Sequence, residues 1–314
     1  MKKLNNKILI IVLLALAGVF ALSRIFRASS REGNLPQELI SLDTASVTEI
    51  RVYPNAEKNK EIKLVREGKS WRVKMENNSG QVEQGSMSSA LGYFTHLKPL
   101  RLVSKKKTKW EEFNVGDTST RVKFMKGIEV LADIRIGKIG LDQQPGQQQF
   151  NPGGIFTHVR LSEEDQVYAV EGFLESSFNK RYNDWRDKTF LRLREDGVAR
   201  VAFSYPADSG FVLEKKDKKW WLNDAEADST KVKGYLLQLQ HRNATTFADD
   251  VSSKGDAQVI IQFSGAEGTL ATVQGWRRTD DWVMNSSHQP GIYFSSKGLE
   301  GVLERKKSFL MGRK

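Results

Sequence analysis

The 314-residue chain contains no cysteine. That absence excludes disulfides, thiolate metal sites, cysteine nucleophiles and a lipidated N-terminal cysteine, but it leaves the compartment open, because an exported protein need not carry disulfides. Proline is scarce, at seven residues, and no long low-complexity tract points to disorder. Histidine is scarcer: His96, His158, His241 and His288 are scattered, with no close pair of the spacing a metal site uses. Catalytic signatures are missing too. There is no G-x-S-x-G elbow, no S-x-x-K with its partner motifs, no Walker A loop and no G-x-G-x-x-G after a strand. "GKIGLD" at 137–142 is too short and lacks a following helix. Carboxylate pairs such as Glu111-Glu112, Glu163-Glu164 and Asp249-Asp250 are numerous, but spacing selects none of them for glycosidase chemistry, and they read as acidic turns. The expectation is a chain that is not an enzyme and holds no cofactor and no metal.

What is present begins with charge. The net charge is +11, and six of those eleven charges (Lys2, Lys3, Lys7, Arg24, Arg27 and Arg31) lie in residues 1–31, which hold no acid. The remainder carries a modest excess with interspersed signs, which does not suggest nucleic acid. "KKK" at 105–107 and "RKK" at 305–307 read as solvated turns. Hydrophobic residues make up 39% of the chain, enough for real cores, and the length suggests about two domains.

The N-terminus is the clearest local signal. An uninterrupted apolar or small run extends from Ile8 to Leu22, with Leu9, Ile10, Ile11, Val12, Leu13, Leu14, Leu16, Val19 and Phe20 as its larger members. It spans about 22 Å as a helix, short of the ~30 Å hydrocarbon core. Extension to Phe26 with Arg24 snorkelling reaches about 28 Å. The expectation is an uncleaved single-span anchor, with cleavage after Ala21 as the alternative, and "SREGNLPQ" as the linker behind it.

Beyond the anchor the chain repeats itself. "SVTEIRVYPN", "EIKLVREGKSWRVKM" and "GSMSSALGYFTHL" from Ser46 are answered by "GVARVAFSYP", "GFVLEKKDKKWWLND" and "DSTKVKGYLLQL" from Gly197. Trp71 answers Trp220 or Trp221. Weaker similarity follows, with Gly127 over Gly265 and Gly137 over Gly275, then "EGFLESSF" and "KGLEGVLER" as short helical pieces. Alternation in "TEIRVY" and "ARVAFSY" predicts strands with one buried face. Glu67-Gly68-Lys69 and Lys216-Asp217-Lys218 predict hairpin turns. Ser86 and Ser229 read as N-caps of two helices, and Met87, Ala90, Leu91, Phe94 and Leu97, then Val232, Tyr235, Leu236 and Leu239, keep helical spacing. The expected fold is α+β: an N-terminal transmembrane helix followed by two tandem modules, each an antiparallel sheet covered by a helix. The segments are an anchor at 1–31, a linker at 32–45, a first module at 46–180, a joint at 181–196 and a second module at 197–314. One tryptophan of each module faces its helix. Adjacent strand residues point oppositely, so only one of Trp220 and Trp221 does so, and the other is a candidate partner contact.

"YNDWRDKTFLRLREDGVARVAF" at 182–203, followed by the charged hairpin ending in "KKWWL" and a helix, resembles the bacterial DUF4340 family. That family is similar to the envelope region of auxiliary subunits in gliding-motility-type ABC transporters. The resemblance covers most of residues 36–310. It implies a single-span inner-membrane protein with its body on the outer face, and no catalytic residue to carry over. With no ATPase and no permease in the chain, it implies an accessory to a transporter. Arg186, Asp187 and Lys188 are expected to form an ion-paired interdomain joint. The Gln-rich loop "DQQPGQQQFNPGG" at 142–154, with Gln147 and Phe150, is expected to be a flexible insertion or a docking loop. Two functions are expected from different classes. The first is a non-enzymatic, membrane-tethered accessory or scaffold subunit, with a transporter permease or ATPase as partner. The second, resting on the seven tryptophans and the acidic loops, is a glycan-binding or glycan-modifying envelope protein.

Overall fold

A computed structural model describes residues 35–141, 154–206, 209–251, 255–304 and 306–310. The chain divides into two compact units, Met1–Arg186 and Asp187–Lys314.

In unit 1, alternating residues build β1 (Glu49–Tyr53), β2 (Ile62–Glu67), β3 (Ser70–Met75) and β4 (Asn78–Gln81) as a meander. Helix α1 (Gln84–Gly92) follows, then β5 (Pro99–Ser104), β6 (Thr120–Lys126), β7 (Glu129–Leu141), β8 (Ile155–Leu161) and β9 (Val167–Glu171). Short helices α2 (Leu174–Phe178) and α3 (Tyr182–Trp185) close the unit. The strands form one antiparallel sheet in the order β4-β3-β2-β1-β6-β7-β8-β9-β5.

Unit 2 opens with β10 (Thr189–Leu191), then β11 (Arg200–Ser204), β12 (Phe211–Lys216), β13 (Lys219–Leu222) and β14 (Ala225–Glu226). Helix α4 (Ser229–Gln238), β15 (Arg242–Asn243), β16 (Val259–Gly265), β17 (Gly268–Arg277), β18 (Trp282–Ser286) and β19 (Phe294–Ser295) complete it. Its main sheet runs β14-β13-β12-β11-β16-β17-β18-β19, and β10 pairs with β15 separately.

The two strand orders follow one plan, with a helix after the fourth meander strand of each. Details coincide as well. The β6–β7 ladder shifts register between Phe124 and Met125, and the β16–β17 ladder between Phe263 and Ser264. Ahead of the meander, Ile40 bridges Leu97, as β10 meets β15 in unit 2. At the end of each unit the chain returns to the residue just past the meander: Val82 bridges Arg186, and Ala227 bridges Leu310. Beside these closing bridges lie Trp185 and Phe309, both buried.

Each core lies between the inner sheet face and its helix. Trp71 is 6% exposed and Trp220 is 3% exposed. Both pack with helix residues: Met87, Ala90 and Leu91 in unit 1, joined by Phe94 just past the helix, and Val232, Tyr235 and Leu236 in unit 2. A buried tryptophan removes some 150–250 Å² from water, so each is a principal anchor of its core. The hairpin turns fall at Gly68-Lys69 and Asp217-Lys218.

Several expectations are corrected. The α+β fold led by a transmembrane helix gives way to a mostly antiparallel sheet protein: three sheets, 44% strand and 15% helix. Among the described residues no helix is long and apolar enough to cross a membrane. The longest, α4, has ten residues, about 15 Å, half the hydrocarbon thickness. The single-pass inner-membrane localisation rested on such a helix and is corrected with it. The run from Ile8 to Leu22, on which the anchor was placed, lies outside the described residues. The helix caps also differ. Glu83 caps α1 through Ser86 N, and Asp228 caps α4 through Thr230 N and Lys231 N, so Ser86 and Ser229 lie inside their helices. Gly127 falls in its two-residue turn where Ala266, not Gly265, falls in the other. "EGFLESSF" holds α2, whereas no helix forms in "KGLEGVLER" among its described residues.

Candidate functional site

The most built feature lies in unit 1, where residues 105–119 cross the outer face of β7 and β8. Arg160, on β8 and only 2% exposed, anchors this crossing. Its guanidinium lies 3.6 Å from the Trp110 ring centroid, and it donates to the carbonyls of Val115, Leu161, Ser162 and Glu164. Arg135, its neighbour on β7, donates to the carbonyls of Gly116 and Asp117 at 3.0 and 2.9 Å. His158 sits between two rings, stacked on Phe113 at 4.9 Å and edge-on to Phe156 at 5.1 Å. Its Nδ1–H donates to the Lys138 carbonyl, which fixes the tautomer. Burial holds the His158 imidazole below its ordinary value, against the opposing pull of that backbone bond.

Gly137 lets the crossing segment approach the sheet so closely, and Gly116 leaves room for a side chain of the segment itself. A Cβ on Gly137 would lie 2.2 Å from the Phe113 carbonyl oxygen, and one on Gly116 would lie 2.0 Å from a Glu111 carboxylate oxygen. Asn114, two residues before Gly116, takes a left-handed backbone (φ 54°), a conformation asparagine tolerates better than most residues.

Between this segment, the turn after β1 and α2 opens a cleft of about 390 Å³, within the range of small-ligand sites. Its walls are tied by amides. Asn55 Nδ2 donates to the Thr118 carbonyl and Asn59 Nδ2 to the Ser119 carbonyl. Ala56 N donates to Asn179 Oδ1, and Asn179 Nδ2 donates to Glu175 Oε1. The lining also includes Glu111, Asn114, Lys138 and Ile139. Neither the Glu111 carboxylate nor the Asn114 amide makes a hydrogen bond or ion pair within the described residues. No group of three or more metal-ligating side chains occurs among the described residues.

The candidate residues from sequence are dispersed. Trp220 is buried in the unit 2 core. Trp221 is half-buried on the outer face of β13, opposite Glu214 of β12 and Glu226 of β14. Gln147 and Phe150 lie outside the described residues. Arg186 ends unit 1, 4% exposed, with Nη1 donating to Asn183 Oδ1 and its guanidinium 5.4 Å from the Tyr182 ring centroid. Asp187 and Lys188 begin unit 2: Asp187 Oδ1 accepts from Thr189 N, and the Lys188 carbonyl accepts from Ala244 N. Sequence reading sets aside Glu111 as an acidic turn, His158 as an isolated histidine and Lys138 within a short turn, and does not single out Trp110, Asn114, Arg160, Glu175 or Asn179. The one local signal was Gly137, set where a backbone must pass close by.

This architecture defines a tandem-duplicated antiparallel sheet protein with one elaborated outer face. The chain belongs to the family described as Domain of unknown function (DUF4340), whose match spans residues 80–259, more than half of the chain. No curated protein and no solved structure matches it.

Proposed function

We propose that this chain is a non-enzymatic accessory or scaffold subunit of a larger assembly, with an ABC-type transporter as the partner class that the family resemblance suggests. The observation that supports it is a difference between equivalent outer-face positions of the two units. Across β2, β1, β6 and β7, unit 1 places Lys63, Arg51, Lys123 and Asp133 side by side. The same positions of unit 2 hold Val212, Ala202, Gln262 and Thr272. A second row, Tyr53, Arg121, Arg135 and Arg160, is answered by Ser204, Ile260, Gln274 and Asn285. Unit 2 builds the same sheet with no charge at any of these positions, so the sheet itself does not require the charges of the first row, whereas Arg135 and Arg160 of the second row hold the crossing segment of unit 1. Divergent faces on a repeated core suit a body that presents different surfaces to different partners.

The test is a crosslinking pull-down from native membranes with a C-terminally tagged full chain, beside a Lys63→Glu, Lys123→Glu double variant. Recovery of permease or ATPase subunits by the parent, and their loss in the variant at unchanged melting temperature, is the expected result. An eluate without transporter subunits overturns the reading.

A second reading, saccharide binding, is favoured by Trp221, a half-buried ring between two carboxylate-bearing neighbours. Trp221→Ala should then weaken retention on envelope polysaccharide.

A further inference from the structure

The cleft of unit 1 offers a combination of groups that restricts what can occupy it. Glu111 and Glu175 supply carboxylates, Asn114 an amide, Lys138 an ammonium, and Ile139 an apolar wall. A simple anion would meet two carboxylates against one ammonium. A wholly apolar ligand would strip water from these polar groups without replacing their hydrogen bonds, which is costly. A neutral ligand rich in hydroxyls satisfies them: hydroxyls donate to the carboxylates and accept from the ammonium, and a ligand amide can exchange two hydrogen bonds with Asn114. Ile139, 37% exposed, would then face a small apolar group.

We infer that this cleft is a binding site for an N-acylated sugar, its hydroxyls held by Glu111, Glu175 and Lys138, its acylamino group by Asn114, and its acyl methyl by Ile139. The walls are positioned in advance by the amide ties through Asn55 and Asn179, and Gly137 fixes the rim by admitting no side chain against the Phe113 and Asn114 carbonyls. Preorganisation of this kind lowers the entropic cost of binding. The inference rests on the ligand class of the saccharide reading above and not on Trp221, whose unit 2 surface plays no part in the cleft.

Isothermal titration of the full-length protein with N,N′,N″-triacetylchitotriose (chitotriose below), and with cellotriose as the analogue lacking acylamino groups, tests it. Chitotriose should bind, and cellotriose should bind at least about tenfold more weakly, because an unpaired amide is left in the site. Glu111→Gln and Asn114→Gly should each weaken chitotriose binding by about tenfold or more; glycine keeps the left-handed backbone at 114, and an unchanged melting temperature certifies the fold. Trp221→Ala should leave binding unchanged. If Trp221→Ala abolishes binding while the two cleft variants retain it, the cleft is overturned and the saccharide reading stands. If neither sugar binds, both fall.

Discussion

Trp220 and Trp221 are neighbours in sequence with opposite surroundings. The strand sends one side chain into the core and the other to the outer face, so substitutions should separate them. Trp220→Ala opens a large cavity and should cost about 3–5 kcal/mol, whereas Trp221→Ala should stay within about 1 kcal/mol in urea denaturation. The tryptophans were legible because each follows a turn and opens an alternating run. Arg160 was not, since the Trp110 ring and the Val115 carbonyl that cover it lie some fifty positions away and nothing local marks a guanidinium that will be covered. His158 carries a pH consequence. Burial depresses its imidazole and that of His288 below the ordinary 6.5. Unfolded, both rings take up a proton as the pH falls through about 6.5, and the folded rings do so only at lower pH. Stability is therefore full above about pH 6.5 and is lost as the pH falls from there through the folded values. The melting temperature should drop on acidification from about pH 7.5 to about pH 5, and His158→Gln should flatten part of that drop. Parallel profiles for parent and variant would refute the assignment.

At the scale of elements, alternation and turn chemistry exposed the hairpins, and the burial of helix positions followed from their spacing. The β12–β13 turn places Asp217 and Lys218 at φ 47° and 69°, where residues other than glycine are strained. Lys218→Gly should stabilise the hairpin by about 1 kcal/mol, visible as a higher melting temperature. Asp228→Ala should cost about 1 kcal/mol through two lost cap bonds. Caps were misplaced because Ser86 and Ser229 are favoured cap residues close to the true ends, while Glu83 does the capping with a longer side chain than sequence rules lead one to expect. The residues that pair ahead of each meander, Ile40 and those of β10, were read as linker and joint. Their pairing partners lie beyond the helix, and a run as brief as Thr189–Leu191 carries no periodicity of its own.

For the whole molecule, the duplication was legible because core residues recur at matched spacing, Ile50 with Val201 and Val52 with Phe203. The cleft was not, because its walls come from four separated stretches joined only by tertiary contacts. Each core draws on its own residue set. Hydrogen exchange should therefore report Trp71→Ala in unit 1 peptides and Trp220→Ala in unit 2 peptides, and a uniform increase across both would contradict this. The closing bridges also impose a timetable on synthesis. The position after β4 cannot find its partner until Arg186 has been made, about a hundred residues later. At roughly 5–20 residues per second the nascent chain waits about 5–20 seconds with its sheet margin open, the interval in which a chaperone, or a neighbouring nascent strand, has access to it.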